Sequence, residues 1–371
     1  MDRTPLKRVL KVINVPLLLV ALALIVYGVV MVSSATATMG AHGAMVKRQL
    51  LGVLIGLVPL AIAAAVDYQT LTHWVGPLAV VNALLIISPR IPGLGDKANG
   101  ATSWLQFAGH RLFQPSEPAK LILIVVMAAV ISQFKGRIET SRDVGRVLAY
   151  LGPPLLLILL QPDLGTGMVF VAITMGMLLV GGLKPKWFLV FAIVGVVLVG
   201  VVLKAGVLQE YQMNRLLVFV DPSRDPAGAG YNLAQSKIAI GSGGITGKGL
   251  GSGTQSNLNF LPERHTDFIF AVLGEELGFM GAVLLLGLYL GLLVAALEVA
   301  ASSRDLFGAL IVAGFISMWT FQILVNVGMT VGIMPITGIP LPFMSFGSSF
   351  MVTNLAGIGM LLSVWSRRYG A

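Results

Sequence analysis

Cysteine is absent from this sequence of 371 residues, and charge is scarce, with Asp, Glu, Lys and Arg filling 11% of positions. The missing thiols exclude disulfides and thiolate metal sites, leaving stability to packing and chemistry to oxygen and nitrogen groups. Soluble domains are about a quarter charged. So little charge, with 56% hydrophobic residues and a mean hydropathy of +0.88, excludes an ordinary soluble domain and identifies an integral membrane protein. The net charge of +9 does not point to nucleic acid. Basic residues here flank apolar runs or lie in the loops between them, where they meet lipid headgroups or an anionic ligand.

What is present is a series of apolar runs about as long as a helix needs to cross a bilayer. Ten are predicted, over 15–34, 49–66, 74–88, 118–134, 147–160, 164–182, 187–204, 268–297, 306–331 and 346–366. The expected fold is therefore all-α: one polytopic membrane domain over 1–371, with a long loop, 205–267, between the seventh and eighth helices. The first run follows a basic segment but has no small-residue cleavage site, so it is read as a retained span and not a signal peptide. Basic residues divide almost evenly between the two sides. Those of one side lie mostly in two long loops, 89–117 and 205–267, which weigh little in setting orientation. Both termini are expected inside, which puts every chemically unusual loop on the outer face.

The densest charge lies in FLPERHTDFIFAVLGEELGF, residues 260–279, where Glu263, Asp267, Glu275 and Glu276 stand among the chain's 16 acidic residues. Asp267 sits where the polar loop meets the eighth helix, and two roles fit it. One is a helix N-cap; the other is a general base that takes a proton from a positioned hydroxyl. Glu275 and Glu276 would lie about 12–14 Å further along a straight helix. Carboxylates inside a span are either functional or held by a buried donor, and the flanking Gly274 and Gly278 favour close packing. A polar clamp, catalysis and proton-coupled transport all stay open for them.

Glu117 and Lys120 share one face at the start of the fourth helix, either as a local ion pair or as a Lys aimed at a phosphate oxygen with Arg111 nearby. Asp163, in QPDLGTG, reads first as the cap of the sixth helix. The glycines of GSGGITGKGLGSG, with Lys237 and Lys248, form a flexible loop or turn backbone N–H groups toward an anion. Their spacing matches no nucleotide-binding motif. QSKIAI reads as a short amphipathic helix at the interface.

In chain order, FQPSEPAK, QPDLGTG, the block 221–278 that runs from DPSRDPAG to GEELG, and GIPLPFMSFGSS resemble the SEDS family of bacterial cell-wall polymerases. The FLPERHTDF form resembles its elongation branch more than its septal branch. Nearly the whole chain is covered. The resemblance implies a ten-helix glycosyltransferase of the bacterial cytoplasmic membrane, active on the outer face. Such enzymes polymerise lipid II, an undecaprenyl-pyrophosphate disaccharide pentapeptide, into peptidoglycan, beside a class B penicillin-binding protein that cross-links the strands. It further implies that Asp267 is the essential carboxylate and that Glu117, Lys120 and Asp163 are functional.

Three positions depart from the family pattern: Ser103 precedes Trp104 where an Arg is frequent, Pro118 follows the motif Glu, and Ser345-Phe346-Gly347-Ser348-Ser349 replaces SYGGS. None touches Asp267, so they bear on donor binding. In the mechanism this reading implies, Asp267 accepts the proton of the acceptor sugar's 4-hydroxyl. Cations then meet the charge on the leaving pyrophosphate, with Lys120, Arg111, Arg215, Lys248 and Arg264 as candidates. Glu263 and His265 would position Asp267, and Ser345 belongs to a proline- and glycine-broken segment, 334–349, that lines a groove for the polyprenyl tail among membrane lipids. Mg or Mn is compatible with a pyrophosphate substrate, but no metal-ligand spacing is present. The rival reading is a lipid II flippase driven through Glu275 and Glu276, though the sequence shows no convincing internal repeat. A noncatalytic scaffold would leave the charged loop residues without a task.

Overall fold

The computed structural model describes residues 13–91, 93, 95–98, 101–107, 110–206, 209–226 and 228–369; the basic residues Arg3, Lys7, Arg8 and Lys11 lie outside them. It is a helical membrane bundle. The long helices are α1 (Val15–Thr36), α2 (His42–Ala65), α3 (Val75–Ile87), α4 (Ser116–Ser132), α5 (Ser141–Leu159), α6 (Leu164–Val180) and α7 (Pro185–Ala205). After a second loop region come α11 (Ile269–Ala301), α12 (Leu306–Val331) and α13 (Ser348–Ser366). These correspond to the ten predicted runs. α2 and α5 start earlier than their apolar runs; at α5 a polar first turn is held by Thr140 and Asp143, which form a reciprocal capping box.

Among the described residues, seven stretches are apolar and long enough to cross a membrane unaided. α4, α5 and α6 are not among them, and packing holds them instead. α4 is buried along most of its length against α3, α6 and α12. Small residues set the closest approach. A Cβ on Gly52 would sit 2.9 Å from the Ser348 backbone, and one on Gly359 would strike the Leu60 carbonyl, so α2 and α13 lie parallel and almost in backbone contact. Tyr27 of α1 donates to the Gly281 carbonyl at 3.1 Å and Val20 faces Gly291, which makes α1 antiparallel to α11.

As a result the end of α1, the starts of α2, α4, α6, α11 and α13, and the end of α12 gather at one end of the bundle. Short basic connections, with Lys135, Arg137, Lys184 and Arg304, occupy the other. The gathering end carries two features hidden from a hydropathy reading. Residues 95–113, expected to be irregular, form a three-stranded antiparallel meander, β1 (Gly95–Ala98), β2 (Ala101–Phe107) and β3 (His110–Phe113). The loop 205–267 is largely helical: α8 (Glu210–Val220), α9 (Ala229–Gly243) and a single turn, α10 (Thr254–Asn257). QSKIAI belongs to α9, which packs on α11 and α12 and donates from Ser236 Oγ to the Thr330 carbonyl at 2.8 Å.

α7 stands apart from the bundle. None of its described residues is buried, and from Leu189 onward all but Phe191 and Val202 are exposed. Its first turns pack against the core through Trp187, Phe188 and Phe191, and the exposed apolar remainder faces lipid.

Candidate active site

The site forms where α11 begins, and α11 is not one helix. Gly278 has φ 64° and ψ −159°, a conformation closed to a side chain, and it splits the element into 269–277 and 279–301. The glycine-rich loop enters the break. Phe279 and Met280 donate their N–H groups to the carbonyls of Gly244 and Ile245 at 2.9 and 3.0 Å, and Lys248 and Gly249 donate to the carbonyls of Glu275 and Glu276 at 3.1 and 2.9 Å.

The two carboxylates complete the junction. Glu275, fully buried, accepts from Lys248 Nζ (2.8 Å), Thr254 Oγ1 (3.0 Å) and the N–H groups of Gln255 (3.0 Å) and Ser256 (3.4 Å). Glu276 accepts from Ser34 Oγ at 2.5 Å, and Ser34 in turn accepts from the Gly251 N–H at 2.8 Å. The anion that the glycine-rich loop cradles is therefore the protein's own. Glu275 and Glu276 are level with Ser34, in the last turn of α1, at the loop-bearing end of the bundle and not at its middle.

Asp267 lies just ahead of this junction. It does not cap α11: the N-cap position is Phe268, and no side chain closes that end. The turn is instead closed by the Glu263 carbonyl, which accepts from the N–H groups of Thr266, Asp267 and Phe268 at 3.1–3.2 Å with Glu263 held at φ 50°. This frees the Asp267 carboxyl, which makes no hydrogen bond among the described residues. It keeps some open surface but is enclosed by protein on most sides. That desolvation, reinforced by the Glu263 carboxylate and opposed by Arg215, raises its pKa to about 6.

Two further elements wall the mouth. The irregular segment 332–347 crosses from α12 to α13, tied down by Tyr289 Oη donating to the Pro342 carbonyl at 2.6 Å. Gly338, at φ 72°, is the close-approach point: a Cβ there would lie 3.4 Å from both Asp267 Oδ2 and Arg215 Nη1. Arg215 projects from α8, its guanidinium 5.7 Å from the Tyr211 ring, while Tyr211 and Gln212 donate to the Pro162 carbonyl at 2.8 and 3.0 Å. Asp163 caps α6, accepting from Thr166 N (3.0 Å) and Oγ1 (2.8 Å). The adjacent Gly165 lies against the Thr337 carbonyl, so Asp163 borders the same segment.

Asp267, Arg215, Asp163, Glu263 and the 337–347 segment thus lie near one another. Ser345 joins them through structure, its Oγ donating to the Thr266 carbonyl at 2.6 Å and accepting from the Leu341 N–H at 2.8 Å. His265 stacks on Phe346 at 5.4 Å, and burial holds its imidazole below the usual pKa, so it is neutral at pH 7.

Two predicted cations are already engaged. Arg264, only 2% exposed, caps the end of α1 through the Ala35 carbonyl (2.7 Å) and Thr38 Oγ1 (3.0 Å) and also binds Asn259 Oδ1 (2.5 Å). Lys248 is bound to Glu275 and Thr254. The side chains of Arg111 and Ser103 lie outside the described residues.

Glu117 and Lys120 form a buried ion pair of 2.8 Å, each side chain 4% exposed, with Lys120 5.4 Å from the Phe350 ring. No contact among the described residues joins this pair to Asp267; it stitches α4 to α13. Lys120→Met should lower stability by about 3–5 kcal/mol, because it strands a buried carboxylate. Adding Glu117→Leu should recover most of that loss in a thermal melt in detergent.

Sequence reasoning passed over Gln49 and Asn326. Both are fully buried amides inside apolar helices, and both bind backbone at the mouth. Their signal was an amide in the middle of a span, which defaults to a specific partner. Among the described residues no three His, Asp or Glu side chains converge as a metal site.

A multi-pass bundle whose loop-bearing end presents a carboxyl without a hydrogen bond among the described residues, beside an Arg, has the groups for acid–base chemistry at a membrane surface. The profile of the FtsW/RodA/SpoVE family, described as cell cycle protein, matches residues 14–369, and the chain belongs to that family. It is 38% identical over 355 residues to a probable peptidoglycan glycosyltransferase FtsW of Trichlorobacter lovleyi, covering 94% of this chain and 92% of that one. It is equally 38% identical over 355 residues to the peptidoglycan glycosyltransferase MrdB of Escherichia coli K12, covering 95% and 93%. A solved structure described as a peptidoglycan synthase complex that coordinates polymerization and crosslinking superposes with a TM-score of 0.80 at 32% identity, over 96% of this chain and 98% of that one.

Proposed function

We propose that this chain is a peptidoglycan glycosyltransferase that polymerises lipid II on the outer face of the bacterial cytoplasmic membrane. The observation that carries the reading is the free Asp267 carboxyl at the mouth, with a pKa near the working pH of a general base. Asp267 takes the proton of the acceptor's 4-hydroxyl while that oxygen forms a bond to the donor's anomeric carbon. The bond from that carbon to the pyrophosphate oxygen breaks with inversion, and undecaprenyl pyrophosphate leaves with the electron pair. Arg215 is the cation best placed to meet this charge. Asp267 and Glu263 fall short of a protein-only cage, so Mg or Mn would be held chiefly by the substrate's own pyrophosphate oxygens.

The exposed apolar flank of α7 suits contact with polyprenyl tails. The synthase complex supports a class B penicillin-binding protein as partner, although which one is not encoded. Relatives named for either branch are equally identical to this chain, so elongation is proposed on the FLPERHTDF form alone. Depletion in the native host should give rounded cells, and filaments would assign the chain to septation. The flippase reading relied on Glu275 and Glu276, which have a structural task here.

The test is purified protein with its partner, fluorescent lipid II and a divalent cation, read as strands on a glycan gel; no strands under these conditions would overturn the proposal. A pH series adds a second check. Since the deprotonated form is the base, kcat/KM should fall about tenfold per pH unit below about 6. Glu263→Gln removes a like charge that raises the Asp267 pKa, so the acid limb should move to lower pH.

A further inference from the structure

The mouth joins two irregular segments, 263–268 and 337–347, that have no regular hydrogen-bond ladder of their own. Backbone polar groups in such segments must be satisfied from elsewhere. At Asp267 that source is one side chain. Asn326, in the second-last turn of α12 and fully buried, donates from Nδ2 to the Asp267 carbonyl at 2.9 Å and to the Ile339 carbonyl at 2.8 Å. One NH2 group therefore pins the residue that bears the base to the strand-like segment opposite, one residue from Gly338 and its 3.4 Å approach to the Asp267 carboxyl. Its Oδ1 is buried and has no partner among the described residues, so the amide is oriented by its two donor bonds alone.

We infer that Asn326 is a positioning residue of the transfer reaction, setting where the Asp267 carboxylate stands relative to Gly338 and Arg215. The inference rests on the general-base reading of Asp267. A purely structural amide would be expected to bind along its own helix or across to a neighbouring one; this one binds neither, and its two acceptors belong to the two walls of the mouth. Gln49 does related work at the far end of the same segment, accepting from the Gly347 N–H at 3.1 Å and donating to the Ser345 carbonyl at 3.4 Å. It does not reach Asp267, which makes it a comparison residue.

A base displaced by about 1 Å can lose a hundredfold in rate without losing its substrate. Asn326→Leu, similar in volume but without donors, should therefore lower kcat on lipid II by roughly 30- to 100-fold, with KM changed less than about threefold. Asn326→Ser, which is smaller and cannot bridge both carbonyls, should behave likewise if Asn326→Leu does not fold. Asn326→Gln, which keeps the NH2 group, should recover part of kcat. The acid limb of the pH profile should move in Asn326→Leu and stay in place in Gln49→Leu, since only the first changes the surroundings of the carboxyl.

The assay uses the full chain with its penicillin-binding partner, and each variant is judged only after its melt shows a folded protein. Native kcat and an unmoved pH limb in a folded Asn326→Leu or Asn326→Ser would overturn the inference and leave the general-base reading intact. Full activity in Asp267→Asn would instead overturn the base assignment and this inference with it. A loss confined to KM would also overturn it, assigning Asn326 to substrate binding.

Discussion

Asp267→Asn should abolish strand synthesis, lowering kcat about 10³-fold, and leave the protein as stable as the native chain or more so. The first half follows from chemistry: the amide cannot accept the proton, and positioned general bases contribute about 10²–10⁴-fold. The second half follows from the sign of the pKa shift. Folding raises this carboxyl from about 4 in an unfolded chain to about 6. The stability that this shift contributes is complete below pH about 4 and disappears as pH rises through the folded value. At pH 7 the native protein holds a charge it has no hydrogen bond to satisfy, and Asn removes it. A glycan gel paired with a thermal melt checks both halves. An inactive variant that also melts well below the native protein would mean that Asp267 is structural.

Glu275→Ala should have the opposite profile, lowering stability by about 3–5 kcal/mol, with activity falling because the fold at the mouth fails. The carboxylate is fully buried and accepts four hydrogen bonds from the loop, adding to the backbone bonds that hold 244–249 against the Gly278 break. Removing one member of a buried charged pair leaves the other members unsatisfied, and losses of this size follow. Hydrogen exchange should locate the damage in 244–257, together with the segment 269–277 on the near side of the Gly278 break. Lys248→Met should be milder, since the Lys248 side chain is 28% exposed and its loss leaves the backbone donors in place. A Glu275→Ala protein with native stability but no lipid II flipping would restore the transporter reading.

The contrast between these two carboxylates explains what could be read from the chain and what could not. The spans were readable because crossing a bilayer demands a length and an apolarity that little else imitates. α3 and α5 were the least evident, their apolar runs being short. The sheet at 95–113 and the helices α8 to α10 carry no such constraint, so polar composition and many glycines passed for loop. At the site, Asp267 could be singled out because it stands at the edge of a span. Its freedom from capping could not, because that depends on the Glu263 carbonyl closing the turn instead. Arg264 and Lys248 looked like substrate ligands because charge in sequence says nothing of its partner; both are bound within the fold. Asn326 and Gln49 were missed because a single amide in an apolar run has no periodicity to mark it.

The isolation of α7 makes it the element of this enzyme most sensitive to the bilayer itself. The packed helices are held at their depth and tilt by one another, whereas α7 beyond its first turns has lipid to set both. At about 1.5 Å per residue its 21 residues extend roughly 31 Å, close to the hydrocarbon thickness of an ordinary membrane. In a thinner or thicker bilayer the cost of hydrophobic mismatch is relieved by tilting, and the helix with the fewest protein contacts tilts first. Acyl-chain length therefore sets the tilt of α7 more directly than that of any packed helix.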